Sequence, residues 1–252
     1  MKACIVHKPD SDFLAKKVLE FLKNKSIDAK ILDDWRDASG YDFIVSVGGD
    51  GTILRLLQFI ESKTPPIFGI NTGKVGLLTH CNEDFENSLT EAIERFETEE
   101  LMRIECRIRG ERLLALNEIA VLTAKPARMI SVRIEVDGTE IENMRCDGML
   151  FSTPIGSTAY ALSTGGPIVD PTLESILIVP VAPFKLGWKP WVIHPTREII
   201  VEVDSEALVV ADGHRVMATE GVIRLNRSNS SAVFFKVENR IGRIVEKLKL
   251  IR

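Results

Sequence analysis

The sequence has little that would mark a disulfide-rich, zinc-binding, nucleic-acid-binding or membrane protein. Its four cysteines form no CxxC pair and its four histidines show no ligand spacing, which argues against a disulfide scaffold or a structural zinc site. Basic residues number 32 against 36 acidic ones, so the chain lacks the positive field of a nucleic-acid binder. No basic segment followed by an apolar run opens the chain, and the longest apolar stretch, 176–184, is short and interrupted by proline. We therefore expect a cytoplasmic protein that binds neither nucleic acid nor membranes.

Strand-like and helix-like segments alternate over residues 1–100. The segments "KACIVH", "DAKILD", "DFIVSV" and "PPIFGI" are typical of strands, and apolar residues at helical spacing predict helices near 14–22, 53–60 and 85–96. This order predicts a doubly wound α/β domain with a parallel sheet in residues 1–100. A chain of 252 residues has room for a second domain as well.

Short β-rich runs such as "LNEIAVLT", "SVRIEV" and "ALVVAD" dominate from residue 101 to 232. Asp137-Gly138, Asp147-Gly148 and Asp212-Gly213 punctuate them, and Asp-Gly is a strong signal for a tight turn. These features predict an all-β domain over 101–232. In the tail, 233–252, the stretch "RIGRIVEKLKLI" is typical of a helix or of a strand and a helix, and it could pack back on the first domain.

The stretch "DFIVSVGGDGTILRLLQFI", residues 42–60, leads from a strand through a glycine-rich turn into a helix. Such a turn aims backbone N–H groups at whatever lies above it, which favours anions. Gly48, Gly49 and Gly51 permit a close approach that side chains would prevent. The stretch has neither GxxxxGK[ST] nor GxGxxG, so it resembles a phosphate loop without matching a nucleotide fingerprint.

A carboxylate repels phosphate, so Asp50 in this turn needs an explanation. One interpretation is that Asp50 or Thr52 caps the helix that follows. The other is that Asp50 accepts a proton from a hydroxyl group that attacks phosphorus, which would make the protein a phosphotransferase acting on an alcohol.

Asn117 and Glu118 are polar residues within the apolar run "ALNEIAVL". Without partners, a buried amide or carboxylate would cost about 1–3 kcal/mol or more. The pair therefore either has partners inside the protein or faces a ligand-filled cleft, where it could hold ribose hydroxyls or an adenine amino group.

Residues 146–169, "CDGMLFSTPIGSTAYALSTGGPIV", are rich in serine, threonine and glycine. This composition fits two turns that flank a short buried helix. It fits equally a loop whose hydroxyl and backbone groups hold a polar ligand while Tyr160 covers an aromatic ring. Composition does not separate the two interpretations.

Taken together, "GGDGT" at 48–52, "GINTGKVGLLT" at 69–79, "NE" at 117–118 and "GSTAYALSTGGP" at 156–167 resemble the NAD kinase family. The resemblance covers nearly the whole chain in order. It implies the two-domain architecture that NAD kinases share with diacylglycerol kinases.

The resemblance also implies roles for individual residues. Asp50 would be the general base that deprotonates the 2′-hydroxyl of the adenosine ribose of NAD. Ala161 stands where many members have serine, and His214, which fits an exposed turn equally well, occupies a variable position. The implied nucleotide-contacting residues are Gly51, Arg55, Asn117, Glu118, Arg128, Arg145, Asp147, Thr158, Ala159, Tyr160, Ala161, Leu162, Ser163, Ala182 and His214.

The resemblance further implies ATP or inorganic polyphosphate as phosphoryl donor and NAD as acceptor. Mg²⁺ or another divalent cation would accompany the donor and screen its phosphates from Asp50, and no residue is assigned as a metal ligand. A homodimer or homotetramer is the expected assembly. Two alternatives remain open, a lipid kinase of the diacylglycerol type and a non-catalytic sensor of NAD or NADP.

Overall fold

The structure is a computed structural model that describes residues 1–249, apart from the side chain of Lys247. The α-helices are α1 (Asp12–Asn24), α2 (Asp50–Leu57), α3 (Glu86–Arg95), α4 (Tyr160–Ser163) and α5 (Arg240–Lys249). The β-strands are β1 (Lys2–His7), β2 (Asp28–Ile31), β3 (Phe43–Val47), β4 (Ile67–Ile70), β5 (Thr98–Leu101), β6 (Ile104–Ile108), β7 (Glu111–Ala115), β8 (Glu118–Thr123), β9 (Ile130–Val136), β10 (Thr139–Cys146), β11 (Gly148–Ser152), β12 (Ile176–Val181), β13 (Trp191–Ile193), β14 (Ile199–Ala211), β15 (Arg215–Arg227) and β16 (Ala232–Phe235).

One compact unit, unit 1, comprises Met1–Leu101 and residues 230–249. Its sheet has the order β2-β1-β3-β4-β16-β5, and its strand pairs are parallel except for β16 with β5. Strands β3 and β4 are buried along their whole length, as is typical of parallel strands that are covered on both faces. The carboxyl ends of β3 and β4 lead into residues 48–50 and 71–80, at the edge where open α/β sheets bind ligands.

Unit 2, Met102–Asn229, is built on an antiparallel sheet. Its main path is β13-β12-β11-β8-β14-β15-β6-β7, with the hairpin β9–β10 attached to β14. Buried and more exposed residues largely alternate along β14 and β15, so one face of this long hairpin packs into the core. The predicted combination of a parallel α/β domain and a β domain is confirmed.

Two local predictions need correction. The run "ALNEIAVL" is not one strand, because β7 ends at Ala115 and β8 begins at Glu118, which leaves Asn117 in the connection. Asp147-Gly148 does not make a hairpin turn either; it joins β10 to β11, which pair with different strands. Gly148 is needed there because an added Cβ would lie 2.6 Å from the carbonyl oxygen of Val121.

The C-terminal segment is helical in α5, and it belongs to the same compact unit as β1–β5. The last two residues of the predicted stretch 240–251 lie outside the described residues. Within residues 1–249, no helix combines the length and apolar character that crossing a membrane requires.

Candidate functional site

The glycine-rich turn between β3 and α2 is closely packed. The N–H of Gly48 donates to the carbonyl of Ile70 at 2.9 Å, and an added Cβ at Gly48 would lie 2.1 Å from Oγ1 of Thr52. Gly49 occupies the N-cap position of α2. The turn therefore joins β3 to α2 with no room for a side chain at Gly48, and it places the positive end of the helix dipole beside Asp50.

Asp50 is the first residue of α2 rather than its cap. Its two carboxylate oxygens accept hydrogen bonds from distant backbone groups: Oδ2 from the N–H of Leu77 and Oδ1 from the N–H of Leu78, both at 2.8 Å. The side chain is only partly buried. The helix-cap interpretation is thus replaced by a carboxylate that is fixed in orientation and still partly open to solvent.

The donors to Asp50 lie in the segment 71–80, which returns on itself. The N–H of Asn71 donates to the carbonyl of Cys81 at 2.8 Å, and the N–H of His80 donates to the carbonyl of Gly69 at 2.7 Å. Gly76 turns the tip with a φ of 68°, in a space where a Cβ would lie 2.4 Å from Oγ1 of Thr79. Only glycine fits this position, and the turn it makes presents the next two N–H groups to Asp50.

Gly51 and Arg55 are the other predicted site residues on α2. Gly51 is exposed in the first turn. Arg55 is exposed one turn further on, with its guanidinium 5.2 Å from the ring centroid of Trp35. Arg55 therefore makes a cation–π contact within its own unit.

In unit 2, Asn117 and Glu118 are organised by the carboxylate of Asp212, whose place in an Asp-Gly pair predicts only a turn. Asp212 accepts hydrogen bonds from the N–H groups of Leu116 at 2.8 Å, Asn117 at 2.8 Å and Glu118 at 3.2 Å. It is 6% exposed. Burial raises the pKa of Asp212 to about 6, although the three N–H donors and the charge of Arg103 act in the opposite direction.

Glu118 begins β8, and its side chain is 8% exposed. Burial, together with the charge of Asp212, raises the pKa of Glu118 to about 8, while a hydrogen bond from the backbone of Tyr160 acts against this shift. One of its oxygens, Oε2, is buried without a hydrogen-bond partner. A buried carboxyl group with an open position is suited to bind a polar ligand group.

The serine- and threonine-rich stretch packs against the same connection. The carbonyl of Asn117 accepts from the N–H of Thr153 at 2.8 Å. A Cβ on Gly156 would lie 2.1 Å from that carbonyl oxygen, so the close contact requires glycine. The structure therefore brings the Asn117-Glu118 pair and the serine- and threonine-rich stretch together.

The short helical segments of this stretch carry six predicted contact residues. Thr158 and Ala161 are buried, Ala161 against Leu150 and Val179, whereas Tyr160 is 39% exposed. A short helix, α4, is present, but two of its four residues are exposed, so it is not the buried helix of the first interpretation. The stacking of Tyr160 on an aromatic ring stays a prediction. The six residues are Thr158, Ala159, Tyr160, Ala161, Leu162 and Ser163.

Two backbone hydrogen bonds hold the chain around three further predicted residues, Arg145, Asp147 and Ala182. Asp147 donates its N–H to the carbonyl of Val181 at 3.0 Å, and the carbonyl of Arg145 accepts from the N–H of Phe184 at 2.8 Å. Ala182, with a φ of 46°, lies between these two contacts.

The remaining two predicted residues lie in turns. Arg128 is exposed and donates its N–H to the carbonyl of Lys125 at 3.2 Å. His214 is exposed in the Asp212-Gly213 turn between β14 and β15.

The described part of the chain holds no group of three or more histidine, cysteine, aspartate or glutamate side chains arranged to bind a metal ion. The carboxylates already identified, Asp50, Glu118 and Asp212, are engaged by backbone N–H groups.

Comparison with known proteins agrees with these motifs. Residues 34–101 match the model of the ATP-NAD kinase N-terminal domain, and residues 116–237 match that of the ATP-NAD kinase C-terminal domain. An NAD kinase from Archaeoglobus fulgidus is 47% identical over 253 residues, covering 100% of both chains. An NAD kinase from Methanopyrus kandleri is 42% identical over 203 residues, covering 77% of this chain and 72% of its own.

A solved structure is similar over the whole length. The crystal structure of an NAD kinase from Archaeoglobus fulgidus in complex with ATP superposes with a TM-score of 0.94 at 46% identity, covering 100% of each chain. The fold and these matches define a kinase. The chain belongs to the NAD kinase family, and its activity is the phosphorylation of NAD. These findings favour that activity over the lipid kinase and the non-catalytic sensor.

Proposed function

We propose that this chain transfers the terminal phosphoryl group of ATP to the 2′-hydroxyl of the adenosine ribose of NAD, with Asp50 as general base. The observation that carries the assignment is the Asp50 carboxylate, which is partly exposed at the start of α2 and held by the N–H groups of Leu77 and Leu78. ATP is the preferred candidate donor because the similar Archaeoglobus fulgidus enzyme was crystallised with ATP. Inorganic polyphosphate is the alternative donor.

The chemistry requires one proton transfer. As the ribose oxygen forms its bond to the terminal phosphorus, its proton passes to a carboxylate oxygen of Asp50 and ADP leaves with the electrons of the broken P–O bond. The fixed orientation of the carboxylate favours this transfer because little rearrangement is needed in the transition state.

Unit 2 supplies the proposed dinucleotide contacts. Glu118 offers the buried oxygen without a partner, Tyr160 offers an exposed ring that can lie against a base, and Asn117 directly precedes Glu118. The remaining contact residues stay predictions of the sequence resemblance. We propose that the two compact units are the functional domains, one carrying Asp50 and the other these dinucleotide contacts.

A divalent cation fits the residues present. Mg²⁺ is commonly bound through one or two carboxylates together with substrate phosphates. A cation held chiefly by the donor phosphates and water needs no group of three protein ligands, so Asp50 stays available as the base. Bound Mg²⁺ would neutralise negative charge on the donor.

We further propose a cytoplasmic homo-oligomer. All four cysteines are unpaired, and three of them are buried, which fits a reducing compartment. Exposed apolar residues lie in the loop before the edge strand β13: Leu186 is 94% exposed and Phe184 is 71% exposed. Such residues favour association with a second copy. Light scattering coupled to size exclusion would reveal the assembly, and a monomer at micromolar concentration would contradict it.

The function is tested by mixing the purified protein with NAD and Mg²⁺ and adding either ATP or polyphosphate. We expect NADP to form with ATP, and the 2′-position of the new phosphate can be assigned by ³¹P NMR. Asp50→Asn serves as the matched inactive protein. Product formed only with polyphosphate would contradict the donor assignment, and equal rates with Asp50→Asn would contradict the base.

A further inference from the structure

The segment that holds Asp50 is itself held by helix α5. Arg240 donates through Nη1 to the carbonyl of Leu77 at 3.5 Å, and Arg243 donates through Nη1 to the carbonyl of His80 at 2.8 Å. The two arginines are three residues apart and therefore lie on one face of the helix. Leu77 thus uses its N–H to hold Asp50 and its carbonyl to contact α5.

Arg240 is well suited to fix a position because it has little freedom. Its side chain is buried, and its Nη2 and Nε donate to the two carboxylate oxygens of Glu99 at 2.5 and 3.1 Å. Glu99 also accepts from the N–H of Val237 at 3.0 Å. A two-point arginine–carboxylate pair fixes the orientation of the planar guanidinium. Because Nε and Nη2 bind Glu99, the remaining Nη1 is directed at the carbonyl of Leu77.

Arg243 lies within electrostatic range of the reacting carboxylate. Burial and the neighbouring Arg240 lower its pKa, whereas the charge of Asp50 acts in the opposite direction. The contact between Arg243 and the His80 carbonyl secures the end of the segment on which Leu77 and Leu78 lie.

His80 anchors that end to the sheet. Its Nδ1 accepts from the N–H of Gly69 at 2.9 Å, its Nε2 donates to the carbonyl of Phe235 at 2.8 Å, and its ring stacks on Phe68 with centroids 4.7 Å apart. Burial lowers the pKa of His80 to about 3, so the ring is neutral near pH 7. The ends of the segment are therefore fixed by the sheet, and its middle is fixed by Arg240.

We propose that Arg240 and Arg243 are positioning residues for Asp50, which act through the backbone of residues 77–80. The proposal rests on the proposed role of Asp50 as base. Neither arginine touches the reacting groups in this scheme; each restrains the peptide groups that aim the carboxylate. A misplacement of about 1 Å in a reacting group can cost on the order of a hundredfold in rate. Loss of the restraint should therefore lower kcat while leaving the binding of NAD nearly unchanged.

The direct test is Arg240→Leu, with Arg95→Leu as matched control. Arg95 lies in the same unit and forms exposed ion pairs with Glu91 and Glu238. For Arg240→Leu we expect kcat to fall at least about tenfold and KM for NAD to change less than about threefold. Hydrogen–deuterium exchange of the Leu77 and Leu78 amides should become faster. The control should keep kcat within about twofold of the unmodified enzyme, because exposed ion pairs contribute little.

Further variants keep the test decisive if Arg240→Leu does not fold. Arg243→Gln removes a charge that is only half-buried, and it should also lower kcat and speed the exchange of the segment. Arg240→Lys keeps a cation near Leu77 and should restore part of the rate that Arg240→Leu loses, which a role confined to global stability would not predict.

Two results would overturn the proposal. One is a folded Arg240→Leu or Arg243→Gln with normal kcat. The other is activity that falls only in proportion to the folded fraction, with unchanged exchange at Leu77 and Leu78. Asp50→Asn, measured in parallel, separates the failures: normal kcat there contradicts the base itself, whereas an inactive Asp50→Asn beside a fully active Arg240→Leu contradicts only the positioning role.

Discussion

Asp50 in unit 1 and Asp212 in unit 2 are held by the same kind of bonding and differ in exposure. Asp50 accepts from two backbone N–H groups and is partly exposed, whereas Asp212 accepts from three and is 6% exposed. Both carboxylates use backbone donors to fix a geometry. The partly exposed Asp50 retains access to a reactant, whereas the buried Asp212 orients the backbone of residues 116–118. Accessibility, rather than the number of hydrogen bonds, separates Asp50, the proposed general base, from the buried Asp212.

The largest expected effect is on catalysis at Asp50. Asp50→Asn keeps the size of the side chain, but it removes the basicity and turns an NH2 group towards one of the two N–H donors, so kcat should fall by at least about a hundredfold. KM for NAD should change less than about tenfold, because the residue acts mainly in the transition state. Steady-state kinetics and a melting curve check this; near-normal kcat with a lower Tm would make Asp50 a structural residue like Asp212.

The next effect is on folding at Asp212. Asp212→Ala leaves the N–H groups of Leu116, Asn117 and Glu118 without their acceptor, and each unsatisfied buried donor costs about 1–3 kcal/mol. We expect a loss of about 3 kcal/mol in the free energy of unfolding, measured by urea titration. If Asp212→Ala keeps its stability and loses a hundredfold in kcat, Asp212 acts in catalysis and the structural role assigned to it is wrong.

A smaller effect concerns binding by Glu118. Glu118→Ala should raise KM for NAD by about tenfold or more while the fold survives, because a buried hydrogen-bonding group for the ligand is lost. Isothermal titration with NAD checks the affinity directly. Normal affinity in a protein that melts much earlier would assign Glu118 to an internal network instead.

The pH dependence of stability gives a finer test of the same residue. Burial raises the pKa of Glu118 from 4.5 to about 8, so between these values the unfolded chain loses a proton that the folded chain keeps. The folded state is therefore destabilised progressively as pH rises from 4.5 to 8. Glu118→Gln removes this loss. Its Tm should exceed that of the unmodified protein by at least about 2 °C at pH 8.5 and by almost nothing at pH 4.5; a constant difference across this range would contradict the raised pKa.

The smallest effect is expected at Arg55. Its contact with Trp35 lies at the surface, where a cation–π pair contributes about 0.5–1 kcal/mol. Arg55→Gln should lower the free energy of unfolding by no more than that and change kcat by less than about threefold, while the nucleotide contact implied by the sequence resemblance would show itself as a raised KM. A larger loss in kcat would show that Arg55 acts on the substrate rather than on Trp35.

The parts of the site that the sequence predicted are local ones. The strand, the glycine turn and the helix around Asp50 lie within residues 42–60, so hydrophobic periodicity and glycine spacing describe them. The alternation of strands and helices likewise predicted the parallel sheet, and the Asp-Gly pairs predicted two of the hairpin turns.

What the sequence could not provide is long-range contact through the backbone. Leu77 and Leu78 serve through their N–H groups, which every residue but proline has, and so their identity carries no signal. Asp212 meets its donors across 94 to 96 residues, and Arg240 meets Leu77 across 163. Its position in an Asp-Gly pair marked Asp212 as a turn residue, which it is, and concealed its second role. Such pairings become visible only in the folded chain.

The return of the chain to its first sheet has a consequence for the order in which the protein becomes functional during synthesis. Strand β16 pairs between β4 and β5, and α5 follows it, so a ribosome must translate as far as Phe235 before that sheet can be completed. Unit 2, by contrast, is encoded without interruption by Met102–Asn229 and can close its sheet first. The glycine loop is made early but receives the support of α5 late. A nascent chain therefore reaches the proposed geometry of Asp50 only after Arg240 and Arg243 have been added, and products that stop before α5 would not acquire it.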